Sequence, residues 1–313
     1  MNNYNPKVSI IIPVYNGSNF LDEAIRSALS QTYNNIEVIV VNDGSDDNGE
    51  TERIANQYGE RIKYLYKENG GVSSALNYGI RNMTGEWFSW LSHDDLYMPE
   101  KIERSINVLC KQKTINEKLI VYTDGCLIRE NGAKIKQFKE YFAVDKPYSG
   151  IDAALIMTSK GALCGCCLLI HKNAFKEVGL FDESLRYSQD ALMWYKLFMH
   201  GYSIISCGGN YVYSRVHKKQ VTNTRKDLFA HDSVAIVRIL APIFAEKKSS
   251  SRIYYNYVKR ATRWNCDDAL KYLVEYAKEN QILTGFELFT LKFEKIKGYF
   301  LFCVKKMIRK IIT

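Results

Sequence analysis

Apolar and polar residues come in blocks along this chain, and the length and period of each block separate strands from helices. Lys7–Tyr15, read KVSIIIPVY, is a short β-branched run closed by Asn16-Gly17, which predicts a buried strand with a loop at its tip. Across Ser18–Gln31 the apolar residues Phe20, Leu21, Ala24, Ile25, Ala28 and Leu29 share one helical face, with Ser18 placed to cap it. Ile36–Val41 predicts a second strand ending in Asn42-Asp43-Gly44-Ser45. A helix over Glu50–Tyr58, a strand over Ile62–Tyr66 and a helix over Val72–Asn82, opened by Asn69-Gly70-Gly71, follow in turn. The next strand runs into Phe88–Glu100, FSWLSHDDLYMPE, which is apolar to Leu91 and then presents two adjacent acids, Asp94 and Asp95. Strands alternating with helices in this way predict a parallel sheet built by right-handed crossovers. Three of the strands end in polar loops, whose tips can share one cleft.

After Pro99 the pattern predicts a helix to about Lys111 and a strand over Leu119–Thr123. Residues 124–160 are charge-rich and read as an irregular connection. Cys164–His171 predicts a strand, Lys172–Val178 a short helix and Asp190–Met199 a longer one, followed by strands at Tyr202–Ser206 and Tyr211–Arg215 and a polar loop to Thr224. Beyond Arg225 the period becomes helical, over Leu228–Phe244, Arg252–Ala261, Asp267–Glu279 and Leu288–Ile312, with Lys247–Ser251 as a linker. No internal repeat is present.

Composition narrows the classes without naming one. A chain of 313 residues with 46% hydrophobic and 25% charged content is long enough for one large domain or two. The balance is moderately basic, +9, and much of the excess is terminal: from Lys292 to Thr313 there are seven Lys or Arg and one Glu. That concentration points to a surface contact rather than to a nucleic-acid-binding core. The first residues lack the pattern of a signal peptide, and no uncharged apolar run is long enough to span a bilayer. The eight cysteines are scattered apart from Cys164, Cys166 and Cys167, with no zinc-ligand spacing, which suits reduced thiols in a cytoplasmic protein.

The acids at Asp94 and Asp95 have two readings. An apolar strand ending in carboxylates puts hard oxygen ligands at a sheet edge, which suits Mg²⁺ or Mn²⁺ and a phosphate-bearing ligand. The same pair also makes an ordinary solvated turn. Gly70 and Gly71, with Ser73, stand at a helix start where free amides favour phosphate, or where a turn is simply capped. No GxGxxG follows the first strand, so a dinucleotide site is not supported.

Taken together, VSIIIPVYNG, SALSQTY, VIVVNDGSDD, NGGVSSALNYGI, LSHDD, EVGLFDE, SQD and YSRVH resemble, in order and spacing, the family 2 glycosyltransferases of the GT-A fold. The resemblance runs from about Lys7 to His217. It implies an α/β fold with a mostly parallel central sheet flanked by helices: a catalytic domain over 1–225, with a donor-binding half (1–123) and an acceptor half (161–225), and a helical extension over 226–313. It implies an inverting, nucleotide-sugar-dependent transferase with a UDP- or dTDP-sugar donor and a glycan or lipid-linked acceptor, as in bacterial surface-polysaccharide assembly.

The resemblance assigns roles residue by residue. Asp43 would accept the uracil imide N–H, with Pro13, Tyr15 and Asn16 lining the same pocket. Gly71, Ser73 and Asn77 fall on the donor side; Leu76 replaces the arginine of a family triplet, for which Arg81 is a substitute. Ser92 stands where the first acid of the metal motif is usual, followed by His93, so Asp94 is the expected metal ligand with Asp95 second. His217 would complete the metal site, favouring Mn²⁺ over Mg²⁺, and Lys218, Lys219 and Gln220 are diphosphate candidates. Asp190, preceded by Gln189 in place of the usual acid, is the expected general base; it also stands where a helix N-cap would.

Tyr299–Ile312, YFLFCVKKMIRKII, sets apolar residues among basic ones, which suits either a helix on an anionic membrane face or a helix packed on the catalytic domain. The membrane reading would place the protein on the inner face of the cell membrane. A nucleotidyltransferase would need a basic phosphate loop after the first strand, and PVYNG has none. A glycoside hydrolase would need paired carboxylates flanking its bond. A catalytically silent nucleotide-sugar-binding or scaffold protein remains the main alternative, given Ser92, Leu76 and Gln189.

Overall fold

The computed structural model describes residues 4–112, 116–218, 226–246, 251–262 and 266–294, those at 226–230 by their backbone alone. Strands β1 (Val8–Val14), β2 (Ile36–Asp43), β3 (Lys63–Lys67) and β4 (Trp87–Trp90) pair in parallel in the order β3-β2-β1-β4. They are linked by helices α1 (Leu21–Leu29), α2 (Glu50–Asn56) and α3 (Val72–Asn82). Every residue of β1 and β4 is buried, as expected for strands covered on both faces. The loop after β4 carries the short strand β5 (Leu96–Tyr97) and leads to α4 (Lys101–Cys110).

The second half of the sheet is mixed. β6 (Leu119–Arg129) pairs with the hairpin strand β7 (Lys134–Gln137), and β8 (Pro147–Tyr148) leads into α5 (Gly150–Lys160). β9 (Leu168–His171), α6 (Asn173–Val178), α7 (Gln189–Met199) and β10 (Ser203–Val216) complete it. β9 lies antiparallel between β4 and β6, while β10 runs parallel to β6 and antiparallel to β5 and β8.

Four local expectations are corrected. Residues 124–160 hold more regular structure than expected: β6 runs on to Arg129, and α5 is capped by Ser149, whose Oγ accepts the Asp152 amide. Only Leu168–His171 of the 164–171 stretch is strand, because Gly165–Cys167 makes a 3-10 turn. The strands expected at 202–206 and 211–215 are one strand, interrupted by bulges where Gly208 and Gly209 take positive φ. α1 starts at Leu21, with no side-chain cap from Ser18.

The helices α8 (Lys226–Ala245), α9 (Ser251–Ala261) and α10 (Asp267–Glu279) follow, and residues 285–294 are helical as well. α8 packs on α7 and α9 on α5, and α10 packs in turn on α8 and α9, so the extension does not stand apart. Tyr195 of α7, Phe244 of α8 and Tyr257 of α9 meet as three edge-to-face pairs with centroids 5.3–5.4 Å apart. Among the described residues no helix is long and apolar enough to cross a membrane. The stretch 299–312 lies outside the described residues.

Candidate active site

The sheet opens where β1 and β4 part. The β1–β4 ladder ends at Ile11 and Trp90, and Ile11 C=O accepts the Leu91 amide at 3.0 Å. Pro13 has the same strand parity as Ile11 and lies just past that point, so its missing N–H falls where no neighbour needs it. β1 is also where the strand order reverses, the place at which open α/β sheets bind ligands. Pro13 itself is buried beneath the cleft.

Above it, the loops after β1 and β2 are tied together. Asn16 takes the left-handed conformation (φ 49°) and exchanges two hydrogen bonds with Asp46: Nδ2 to Oδ1 at 2.5 Å, and the Asp46 amide to Asn16 Oδ1 at 2.9 Å. Tyr15 is exposed, with its hydroxyl 3.4 Å from Asp46 Oδ1.

Asp43, 2% exposed, ends β2 and gathers the loop before α3. Its Oδ1 accepts from Lys67 Nζ (2.8 Å) and the Gly70 amide (3.0 Å), and its Oδ2 from the Gly71 amide (2.7 Å). Of the two readings for Gly70 and Gly71, these bonds fit the capped turn. Their amides are bound to Asp43, so they are not a free phosphate cradle. An ionised carboxylate has about four lone-pair sites, which leaves Asp43 room for one further donor such as an imide N–H. Ser73 is buried with no hydrogen-bond partner for its hydroxyl.

Asn77 is bound through both ends of its amide. Its Oδ1 accepts the Phe181 amide (3.0 Å), while its Nδ2 donates to the Phe181 carbonyl (2.9 Å) and to Glu183 (2.8 Å). The whole amide is spent fastening α3 to the 181–183 turn. Arg81 stands 3.8 Å from the same Glu183.

The two acids after β4 have opposite fates. Asp94 Oδ2 lies 3.0 Å from Nε2 of His217, the residue that follows β10. Asp95 turns inward: Oδ1 accepts the Arg215 amide (2.9 Å) and Oδ2 faces the Cys166 thiol (3.5 Å). Burial pushes the Asp95 carboxyl well above its ordinary value, and Cys166 and Asp94 add to the effect. Both oxygens of Asp95 thus face protein partners, while Asp94 faces His217. The Ser92 amide and hydroxyl are each 3.4 Å from Cys166 Sγ. His93 packs over Gly17, where a Cβ would collide with its ring. Burial holds the His93 imidazole below its ordinary value, with Asp94 opposing and His217 adding to the shift.

The pair that remains fits a divalent ion. Two ligands about 2.1 Å from one ion and at right angles to each other stand about 3 Å apart. Asp94 supplies a hard oxygen and His217 a nitrogen. Among the described residues no group of three His, Cys, Asp or Glu side chains could hold a metal. Beside this pair an open groove of about 380 Å³ is lined by Glu130, Val216, His217 and Lys218. Lys219 and Gln220 lie outside the described residues. A second cavity, about 440 Å³ between α1 and α2, holds none of the site residues.

Asp190 lies in the first turn of α7, one residue inside the helix rather than at its cap. Its Oδ1 accepts the Ala191 amide at 2.6 Å. Burial raises its carboxyl to about 6, against which the backbone hydrogen bonds act only partly. A base that titrates there is ionised at neutral pH yet binds a proton readily. The preceding Gln189 is buried, and its Oε1 has no hydrogen-bond partner.

One residue of this site carried no assignment from the sequence. Arg215, 1% exposed, sends Nε to the Asp94 carbonyl (3.0 Å), Nη1 to the Glu130 carbonyl and Nη2 to Glu23 (2.7 Å). Its guanidinium also covers the Phe20 ring at 4.3 Å. It fixes the Asp94 backbone from β10. The available signal was an arginine inside the otherwise uncharged strand YVYSRV.

Residues 9–179 match the model of glycosyl transferase family 2. Asp190 and His217 lie beyond that stretch. An uncharacterized glycosyltransferase of Rickettsia typhi is 53% identical over 226 residues, 71% of this chain and 68% of that protein. One of Rickettsia conorii is 52% identical over 198 residues, 63% of this chain but only 32% of that longer protein. Among solved structures, Staphylococcus aureus TarS 1–349 with UDP-GlcNAc superposes with a TM-score of 0.67 at 16% identity, over 94% of this chain and 89% of that one.

Proposed function

Because the chain belongs to glycosyl transferase family 2, we propose that it moves a sugar from a nucleotide-diphosphate donor to a hydroxyl of a glycan or lipid-linked saccharide, inverting the anomeric carbon. The donor is a UDP-sugar in this reading. It is supported by Asp43 at the end of β2, with acceptor capacity to spare, and by TarS, whose structures hold UDP and UDP-GlcNAc.

The chemistry is one displacement. Asp190 takes the acceptor's hydroxyl proton as that oxygen bonds to the anomeric carbon and the bond from that carbon to the diphosphate oxygen breaks. The nucleoside diphosphate leaves, and no covalent sugar–protein intermediate forms. Asp94 and His217 would hold Mn²⁺ or Mg²⁺, which offsets the charge growing on the diphosphate. Arg215 keeps the Asp94 loop in place while this happens. The basic tail at 292–313 fits an acceptor presented at an anionic membrane surface on the cytoplasmic side.

The observation that carries the reading is the 3.0 Å contact between Asp94 Oδ2 and His217 Nε2 next to the sheet's opening, which supports the pair as metal ligands. A panel of UDP-, dTDP- and GDP-sugars with Mn²⁺, read by mass spectrometry for released nucleotide and glycosylated product, tests it. Turnover of a UDP-sugar that stops on chelation is the expected result. Binding of UDP-sugars without turnover of any donor would instead support the scaffold alternative.

A further inference from the structure

The backbone that leads into Asp190 presents three consecutive amides to a single atom. Oδ2 of Asp232 accepts from the amides of Arg186 (3.0 Å), Tyr187 (2.7 Å) and Ser188 (3.2 Å). Asp232 is 0% exposed and comes from α8, 44 residues beyond Ser188. Its other oxygen is 3.3 Å from His231 Nδ1. Successive N–H groups that converge in this way form an anion-binding concavity, and here a carboxylate of the same chain fills it. Ser188 enters α7 without any side-chain cap, so the start of the helix takes its anchor from α8. The same turn reaches the donor side, because Arg186 Nη1 donates to the Gly70 carbonyl at 2.6 Å. Gly70 in turn is bound to Asp43.

We propose that Asp232 is the positioning residue for Asp190: it holds the 186–188 turn so that the carboxylate of the base, two residues on, stays at the reacting hydroxyl. This rests on the reading of Asp190 as the base. It makes α8 part of the catalytic unit, so a chain cut at 225 loses the anchor along with the helix. Without Asp232 three consecutive backbone donors lose their shared acceptor and the turn relaxes, and a misplacement of about 1 Å at a reacting group costs about 10²-fold in rate.

The test compares Asp232→Ala and Asp232→Asn in the full chain with the wild type. Transfer kinetics, UDP affinity by calorimetry and amide hydrogen exchange are measured on each. The expected result for Asp232→Ala is a kcat down about 10²-fold with UDP affinity held within about twofold. Exchange should quicken at 186–188 while the β1 and β2 amides stay protected. Asp232→Asn, which keeps one acceptor oxygen, should fall between wild type and Asp232→Ala, and it decides alone on the same measurements if Asp232→Ala does not fold. Unchanged kcat with freely exchanging 186–188 amides overturns the proposal. So does a parallel loss of kcat, UDP affinity and protection throughout the chain. Transfer that survives in Asp190→Asn would remove the base itself, whatever Asp232 does. A dead Asp190→Asn beside a fully active Asp232→Ala removes only the positioning role.

Discussion

Nε2 of His217 lies 3.0 Å from Oδ2 of Asp94, although 123 residues of chain separate the two. The loop after β4 and the end of β10 meet there because Arg215 and Asp95, one on each element, are bound together just behind the pair.

Chelation should therefore abolish transfer, and Mn²⁺ should restore it. His217→Ala and Asp94→Asn should each raise the Mn²⁺ concentration needed for half-maximal rate by at least about tenfold. Asp95→Asn should leave that concentration unchanged. A metal titration of initial rates checks all three, and a shifted titration in Asp95→Asn would restore that residue to the metal site.

The raised carboxyl of Asp190 gives a pH prediction whose sign follows from its role. A base works when ionised, so kcat/KM should rise about tenfold per pH unit up to about 6 and then level off. Stability runs the other way. Because the folded value lies above the unfolded one, the folded state binds the proton more tightly, and stability falls as pH rises from about 4 through about 6. Asp190→Asn should thus be more stable than wild type at pH 7.5, on the order of 1–2 kcal/mol after allowing for partial solvent contact, with the gap closing near pH 4. Denaturant curves at the two pH values measure it.

Arg215→Met removes a buried cation together with the hydrogen bonds that hold the Asp94 and Glu130 carbonyls and Glu23. It should cost about 3 kcal/mol in urea unfolding. It should also lower kcat, because the Asp94 loop loses its anchor. Full activity in a destabilised Arg215→Met would separate the clamp from catalysis.

Asn77→Ala tests a fastening role against a donor role. Leaving the Phe181 amide and carbonyl unpaired in the interior should cost about 2 kcal/mol. UDP affinity should stay within about twofold. A tenfold loss of UDP affinity at unchanged stability would return Asn77 to the donor site.

The parallel half of the fold was legible from β-branched runs such as VSIIIPV and from the helices between them, since each element there has one clear period. α5 was not, because it is packed against both α7 and α9, and a helix covered on two sides shows no amphipathic stripe. At the site, sequence order placed Asp43, Asp94, Asp190 and His217 together as chemistry. It ranked Asp94 ahead of Asp95 by position in the motif alone; the physical difference between these neighbours of one residue type is made by Cys166 and Arg215, far along the chain. The partners of Asn77 and Gly71 were hidden for a related reason. Their polar groups look available in sequence, and only the folded chain brings the partners, Phe181 and Asp43, that occupy them.

The most direct test of the proposed mechanism is Asp190→Asn, assayed for sugar transfer alongside calorimetric UDP binding. An amide is nearly isosteric with the carboxylate but cannot take the acceptor's proton. The account predicts transfer lost by about 10³-fold or more while UDP affinity stays within a few-fold. Transfer at or near the wild-type rate, with UDP binding intact, would contradict it.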